Sequence, residues 1–271
     1  SDQKTGLSRV GGNKKLYKYK LQIRDMVLES IIDAKGLLKH PVKMIGISFV
    51  ISLVCSFMAY FIFPSFSGVI SPLLITVAMA PVLYDIFSAE EQLEEKQAKK
   101  MINQSFLNRY DELIKIFAWF FLGNVLAILV MTAVLPVEMT SVIFSQQINE
   151  ITAISNLANS ATGQAISGNF LSIIIINNLK VMAFSFVLAF LIETGGLFIL
   201  SWNASILGVY LGSFLSRGAQ SQFLLVTIGI LPHAIVEILA YFLAGIAGGV
   251  LSLGLVKTQP GSKEFNLILK D

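Results

Sequence analysis

His233 and Glu237 stand four residues apart, which places both on one face of a helix. An imidazole and a carboxylate so spaced suit three kinds of chemistry. They could offer two ligands to a metal, with Asn203 or Glu193 as a third donor. They could pass protons or ions together with Lys180. They could also tie helices together through hydrogen bonds, the ordinary use of such groups. The metal use is the weakest of the three. H-E-x-x-H does not occur, the only other histidine is His40, and the lone cysteine is Cys55. His233 and Glu237 are therefore weak metal candidates, and no cofactor is expected. Serine hydrolysis has no support either, because G-x-S-x-G does not occur and no Asp is spaced to orient His233.

The polar set widens to Asn177, Asn178, Lys180, Glu193, Asn203, His233 and Glu237. Its setting explains why it matters. The 271 residues are 55% hydrophobic and 14% charged, against about 25% charged for an ordinary soluble domain. Hydrocarbon must surround most of such a chain, and ionisable groups placed there need partners or water. The expected fold is an all-α polytopic integral membrane bundle with about six transmembrane helices. The lipid bilayer is its first partner, and nucleic acid is not one.

Crossings follow from apolar length, since about 20 helical residues span a roughly 30 Å hydrocarbon layer. Residues 44–63 form the first, with no charge, and read as a plain anchor. Residues 69–87 form the second, interrupted by Pro72 and Pro81, as a kinked span or a re-entrant segment. Residues 114–135 form the third. The stretch 171–215 is too long for one crossing and breaks at Gly195-Gly196 into a fourth and a fifth. The stretch 223–256 is again long. It is either one helix kinked at Pro232 or a half-helix leading into a span that starts near Pro232, and proline's place in first turns favours the second form slightly.

Charge sets the sidedness. The leader 1–43, the segment 88–113 and the tail 257–271 hold nearly all the Lys and Arg, whereas the connection 136–170 holds none. Six crossings put the basic parts and both termini in the cytoplasm, in a multi-pass protein of the cell membrane. The chain then divides into a basic leader (1–43) with an interfacial amphipathic helix over 17–38, and front spans (44–135) enclosing a charged helix (88–113). An outer connection follows (136–170), then a C-terminal bundle (171–256) and a tail (257–271). The outer connection reads as a surface helix followed by a flexible loop over 156–168, serving as a cavity cap, a partner site or a plain connector.

Depth decides pairing. Lys180 lies about 14 Å into the fourth helix and Glu237 about 21 Å into a continuous last helix, so a Lys180–Glu237 ion pair is expected, with His233 and Asn203 near it. The spacings Gly208–Gly212 and Gly245–Gly249 predict close packing of the last two helices, or of a homodimer.

Asn177-Asn178, Gly195-Gly196, Asn203 with Leu207-Gly208, and Leu231-Pro232-His233 with Glu237 before a glycine-rich helix together resemble the stage II sporulation protein M family, over 170–256. Ala234 stands where that family's glycine is expected. The resemblance implies a membrane scaffold that recruits cell-wall hydrolases in spore formers, with relatives in organisms that form no spores. It favours a non-enzymatic scaffold or assembly factor with membrane or cell-envelope protein partners. A transporter or channel built on the Lys/His/Glu set is the alternative, and an intramembrane metal hydrolase a more distant one.

Overall fold

The structure, a computed structural model, describes residues 34–101, 106–161 and 168–257. The amphipathic helix expected over 17–38 therefore lies mostly outside the described residues, as does nearly all of the tail. What is described is helical. Helix α1 is Ala34–Lys39, α2 Met44–Ile62, α3 Ser67–Met101, α4 Asp111–Val134, α5 Val137–Ile143, α6 Ser145–Ala161, α7 Gly168–Leu191, α8 Gly196–Ser216 and α9 Gln220–Lys257. Among the described residues, five helical stretches are long and apolar enough to cross a membrane: Pro41–Ile62, Pro64–Ala89, Asp111–Val134, Gly196–Ser216 and Gln220–Ser252. In α7, the apolar part is the shorter Ile175–Leu191.

Three local expectations change. Residues 69–87 belong to one unbroken helix that carries Pro72 and Pro81 inside it and runs on into the charged segment. Residues 223–256 likewise belong to a single helix with Pro232 inside, so the half-helix form is wrong. A proline costs one i to i−4 hydrogen bond, and flanking turns that continue the helix on both sides tolerate that loss. The outer helix also runs to Ala161, further into the polar stretch than expected.

α2, α3, α4 and α8 form the centre of the bundle, with α7 and α9 paired beside them. The largest apolar core gathers at one end. There Met79, Leu83, Ile86 and Phe87 of α3 meet Leu113, Ile116, Phe117 and Phe120 of α4, Leu197 and Leu200 of α8, and Phe242 and Ile246 of α9. Leu37 and Leu38 of α1 close that end. Phe117 sits between Phe87 and Phe242, with both ring centroids 6.2 Å away and edges to faces, the arrangement favoured by aromatic quadrupoles. A smaller core of Ile128, Met131, Ile143, Phe144 and Val209 fills the opposite end under α5 and α6.

Small residues let the backbones approach. A Cβ at Gly208 would stand 2.8 Å from Ile128 Cβ, and one at Gly212 would stand 2.8 Å from the Leu129 carbonyl oxygen. The Gly208–Gly212 face therefore packs on α4, not on the last helix. Gly245 faces the Cα of Gly196, Gly248 faces Ala189 and Phe190 of α7, and Gly249 faces the Glu193 carbonyl. These glycine surfaces are occupied within one chain.

Candidate functional site

The first span is more than an anchor. Ser48, Ser52 and Ser56 recur every fourth residue and are fully buried. That period aligns them on one face of α2, and the face meets α3 and α4. Ser52 Oγ lies 2.6 Å from Asn124 Oδ1, whose Nδ2 donates to the Phe120 carbonyl at 2.8 Å. Ser56 and Ser71 hydroxyls are 2.8 Å apart. The serine period was visible in the sequence. Hydroxyls at every fourth residue of an apolar stretch are the signal that marks such a seam.

This seam continues into the outer connection. Ser67 Oγ lies 2.9 Å from the Val142 carbonyl oxygen and 3.0 Å from that of Ile143. Gln146 accepts from the Gly68 N–H at 3.0 Å and donates to the Ser65 carbonyl at 3.0 Å. Gln147 is 1% exposed, and its Nε2 lies 2.8 Å from the Gly68 carbonyl and 2.9 Å from Ser205 Oγ. Two adjacent glutamines thus fasten α6 to the turn between α2 and α3 and to α8. Gly68 is required there, because a Cβ would strike both glutamine side chains.

The C-terminal polar set separates into parts. His233 Nε2 is 3.2 Å from Glu237 Oε2. Tyr241 OH donates to Glu237 Oε1 at 2.6 Å and lies 3.4 Å from Asn178 Oδ1. His233, Glu237 and Tyr241 follow at four-residue steps down α9, and Asn178 joins them from α7. Ser185 Oγ reaches the Tyr241 carbonyl at 3.4 Å one tier further along. Exposure falls steeply along the row: the side chain is 61% exposed at His233 and 23% at Glu237, and Tyr241 is 1% exposed. The carboxylate is therefore held from the buried side by a phenol and from the open side by an imidazole.

The expected Lys180–Glu237 pair does not form. Lys180 is exposed. It stands two residues beyond Asn178, about 200° around the helix from the side that faces Tyr241. Asn177 is exposed as well. Asn203 folds back on its own helix, donating to the Ile199 carbonyl at 2.8 Å. Glu193 lies in the turn after α7, its carbonyl against Gly249. Tyr241, absent from the sequence-derived set, is the residue that anchors the group, and its i+4 spacing from Glu237 is the signal that could have found it.

Chemically, the group offers a hydrogen-bonded carboxylate with one open neighbour. His233 and Glu237 could contribute two donors to a cation, but they are spent on each other here. Among the described residues, no three His, Cys, Asp or Glu side chains stand together as a metal site would need.

The family match now falls on these elements. The family described as Stage II sporulation protein M matches residues 116–270, more than half of the chain. The chain belongs to the stage II sporulation protein M family. No curated protein and no solved structure matches it. The stage II sporulation protein M region takes in α4 to α9, hence both the glutamine clamp and the Glu237 group. The serines of α2 and α3 lie before it. The family's bundle is thus completed here by front helices that meet it through a polar seam.

Proposed function

We propose that the chain is a non-enzymatic scaffold or assembly factor of the cell membrane, with six crossings, both termini in the cytoplasm and α6 on the outer side. The distribution of Lys and Arg supports that orientation. The clamp on α6 is the observation that carries the role. Gln146 and Gln147 fix the base of this helix to the bundle, while Asn149, Glu150, Thr152, Ala153, Ile154 and Ser155 remain exposed along it. A connector needs no such fastening. A platform that must present one face to a membrane or cell-envelope protein does, because pre-ordering removes the entropy that binding would otherwise cost.

A transporter is the second reading, favoured by the exposure of Lys180 and His233 within apolar helices. One experiment separates the two. A photo-crosslinking residue at Ile154 should trap adducts of discrete mass in cells, and the same probe at Val54 in α2 should not. Vesicles holding the pure protein should leak protons and monovalent ions no faster than empty ones. Flux that disappears in Glu237→Gln would overturn the scaffold reading.

A further inference from the structure

The two adjacent glutamines of α6 converge on one residue of α3, and it is the residue whose backbone the helix cannot serve. α3 starts at Ser67, so the Gly68 N–H belongs to the first turn, whose amides have no acceptor within the helix. The Gly68 carbonyl would take the N–H four residues on. That residue is Pro72, which has none. Gly68 therefore lacks a helical partner at both its backbone groups, and it is buried. Buried backbone groups are almost always paired, and lipid offers no substitute for water. Gln146 Oε1 accepts from the N–H at 3.0 Å, and Gln147 Nε2 donates to the carbonyl at 2.8 Å.

Gln147 serves through its donor. Its Nε2 also meets Ser205 Oγ at 2.9 Å, a hydroxyl that itself donates to the Trp202 carbonyl. Its Oε1 makes no hydrogen bond among the described residues. Beyond Gln147 little holds α6 down: Ile148, Asn149, Glu150, Thr152, Ala153, Ile154 and Ser155 are exposed, and Ile151 is only partly buried against the smaller core. A segment with so few buried contacts opens by itself, before the bundle does. When α6 lifts, water can reach the Gly68 carbonyl. When α6 is seated, that carbonyl is covered, and it needs a donor from the segment that covers it.

We propose that Gln147 stands in for the amide that Pro72 lacks, which makes the base of α6 a latch on α3. The proline leaves one acceptor open at the outer end of the bundle, and the outer helix closes over it with a donor of its own. The inference rests on these contacts alone and holds whether the protein is a scaffold or a transporter.

The test is a double-mutant cycle in the full chain, read by amide exchange in α5 and α6. Gln147→Met keeps the length of the side chain and removes the donor. With Pro72 present, exchange should rise by about tenfold, the effect of covering an unpaired carbonyl. Pro72→Ala supplies the missing N–H within α3. In that background Gln147→Met should raise exchange by no more than about threefold, the remainder belonging to Ser205. Pro81→Ala is the control. It restores the N–H for the Val77 carbonyl, about 13 Å along α3 from Gly68, and should leave the tenfold effect intact. Should Gln147→Met fail to fold with Pro72 present, folding regained in Pro72→Ala reports the same coupling, and failure in both backgrounds counts against the latch. Exchange that rises equally with and without Pro72 overturns the proposal. So does an equal rescue by Pro81→Ala, or no rise at all in Gln147→Met.

Discussion

Tyr241 and Glu237 share the shortest polar contact between side chains of α9, 2.6 Å from phenol to carboxylate. Burial of the tyrosine makes this contact structural as well as polar, because its ring is part of the main core. Tyr241→Phe keeps the ring and leaves one carboxylate oxygen without its buried donor. The expected loss is about 1–3 kcal/mol of stability, read as a lower unfolding temperature in detergent. Glu237→Gln keeps an acceptor for the phenol and should cost less than Glu237→Leu. An equal cost for both would show that the hydrogen bond contributes nothing.

Gly208→Leu should be among the most damaging single changes. Even the first added carbon would sit 2.8 Å from Ile128 Cβ and 2.9 Å from the Val125 carbonyl oxygen, so α8 must move off α4. Overpacking of this kind costs about 1–3 kcal/mol or more. Gly229→Ala is the matched control, since nothing lies within 4 Å of its added carbon. It should be neutral or mildly stabilising in the same unfolding assay.

Gln147→Ala should loosen the outer connection without unfolding the spans. The change removes the donor to the Gly68 carbonyl and the link to Ser205. Amide exchange in α5 and α6 should rise, at a cost of about 1–3 kcal/mol, while α4 keeps its protection. Gly68→Val should give the same pattern by steric means. If exchange rises equally in α4, the clamp belongs to the global fold and not to the outer helix.

Ser52 and Asn124 provide a test of the buried seam. Interhelical polar contacts in membranes average about 0.6 kcal/mol. Ser52→Ala alone should therefore be nearly silent. Asn124→Leu should cost more, because it must place a branched chain where Ser52 and Phe120 now approach. A coupling energy in the double variant near zero would mean the 2.6 Å contact carries no net stabilisation.

The membrane class, the all-helical fold and the Gly195-Gly196 break were legible because apolar length and glycine punctuation are local properties. Glycine is what the turn at that break accepts: a Cβ at Gly195 would lie 2.9 Å from the Ile192 carbonyl oxygen and nearer still to that of Leu188. The polar site was legible only in part. Depth along a helix follows from rise, which puts Lys180 and Glu237 within the reach of a lysine arm of each other. Azimuth depends on which face a neighbour covers, and one sequence does not reveal that. Lys180 therefore points away from the group it was expected to join. Pro232 misled for a related reason, since a proline reads as a boundary until the turns on both sides are seen to hold the helix together.

Helix α9 has a consequence for the lipid as well. Its apolar stretch, Gln220–Ser252, is about 50 Å long, against a hydrocarbon layer of about 30 Å. Tilts in known proteins reach only about 40°, too little to absorb the excess. The surplus turns, with Leu224 and Leu225 bare, must project into the headgroup region or draw acyl chains up around them. Turns that draw lipid up with them are best served by a thicker layer, so thicker or more ordered membranes should hold the protein preferentially.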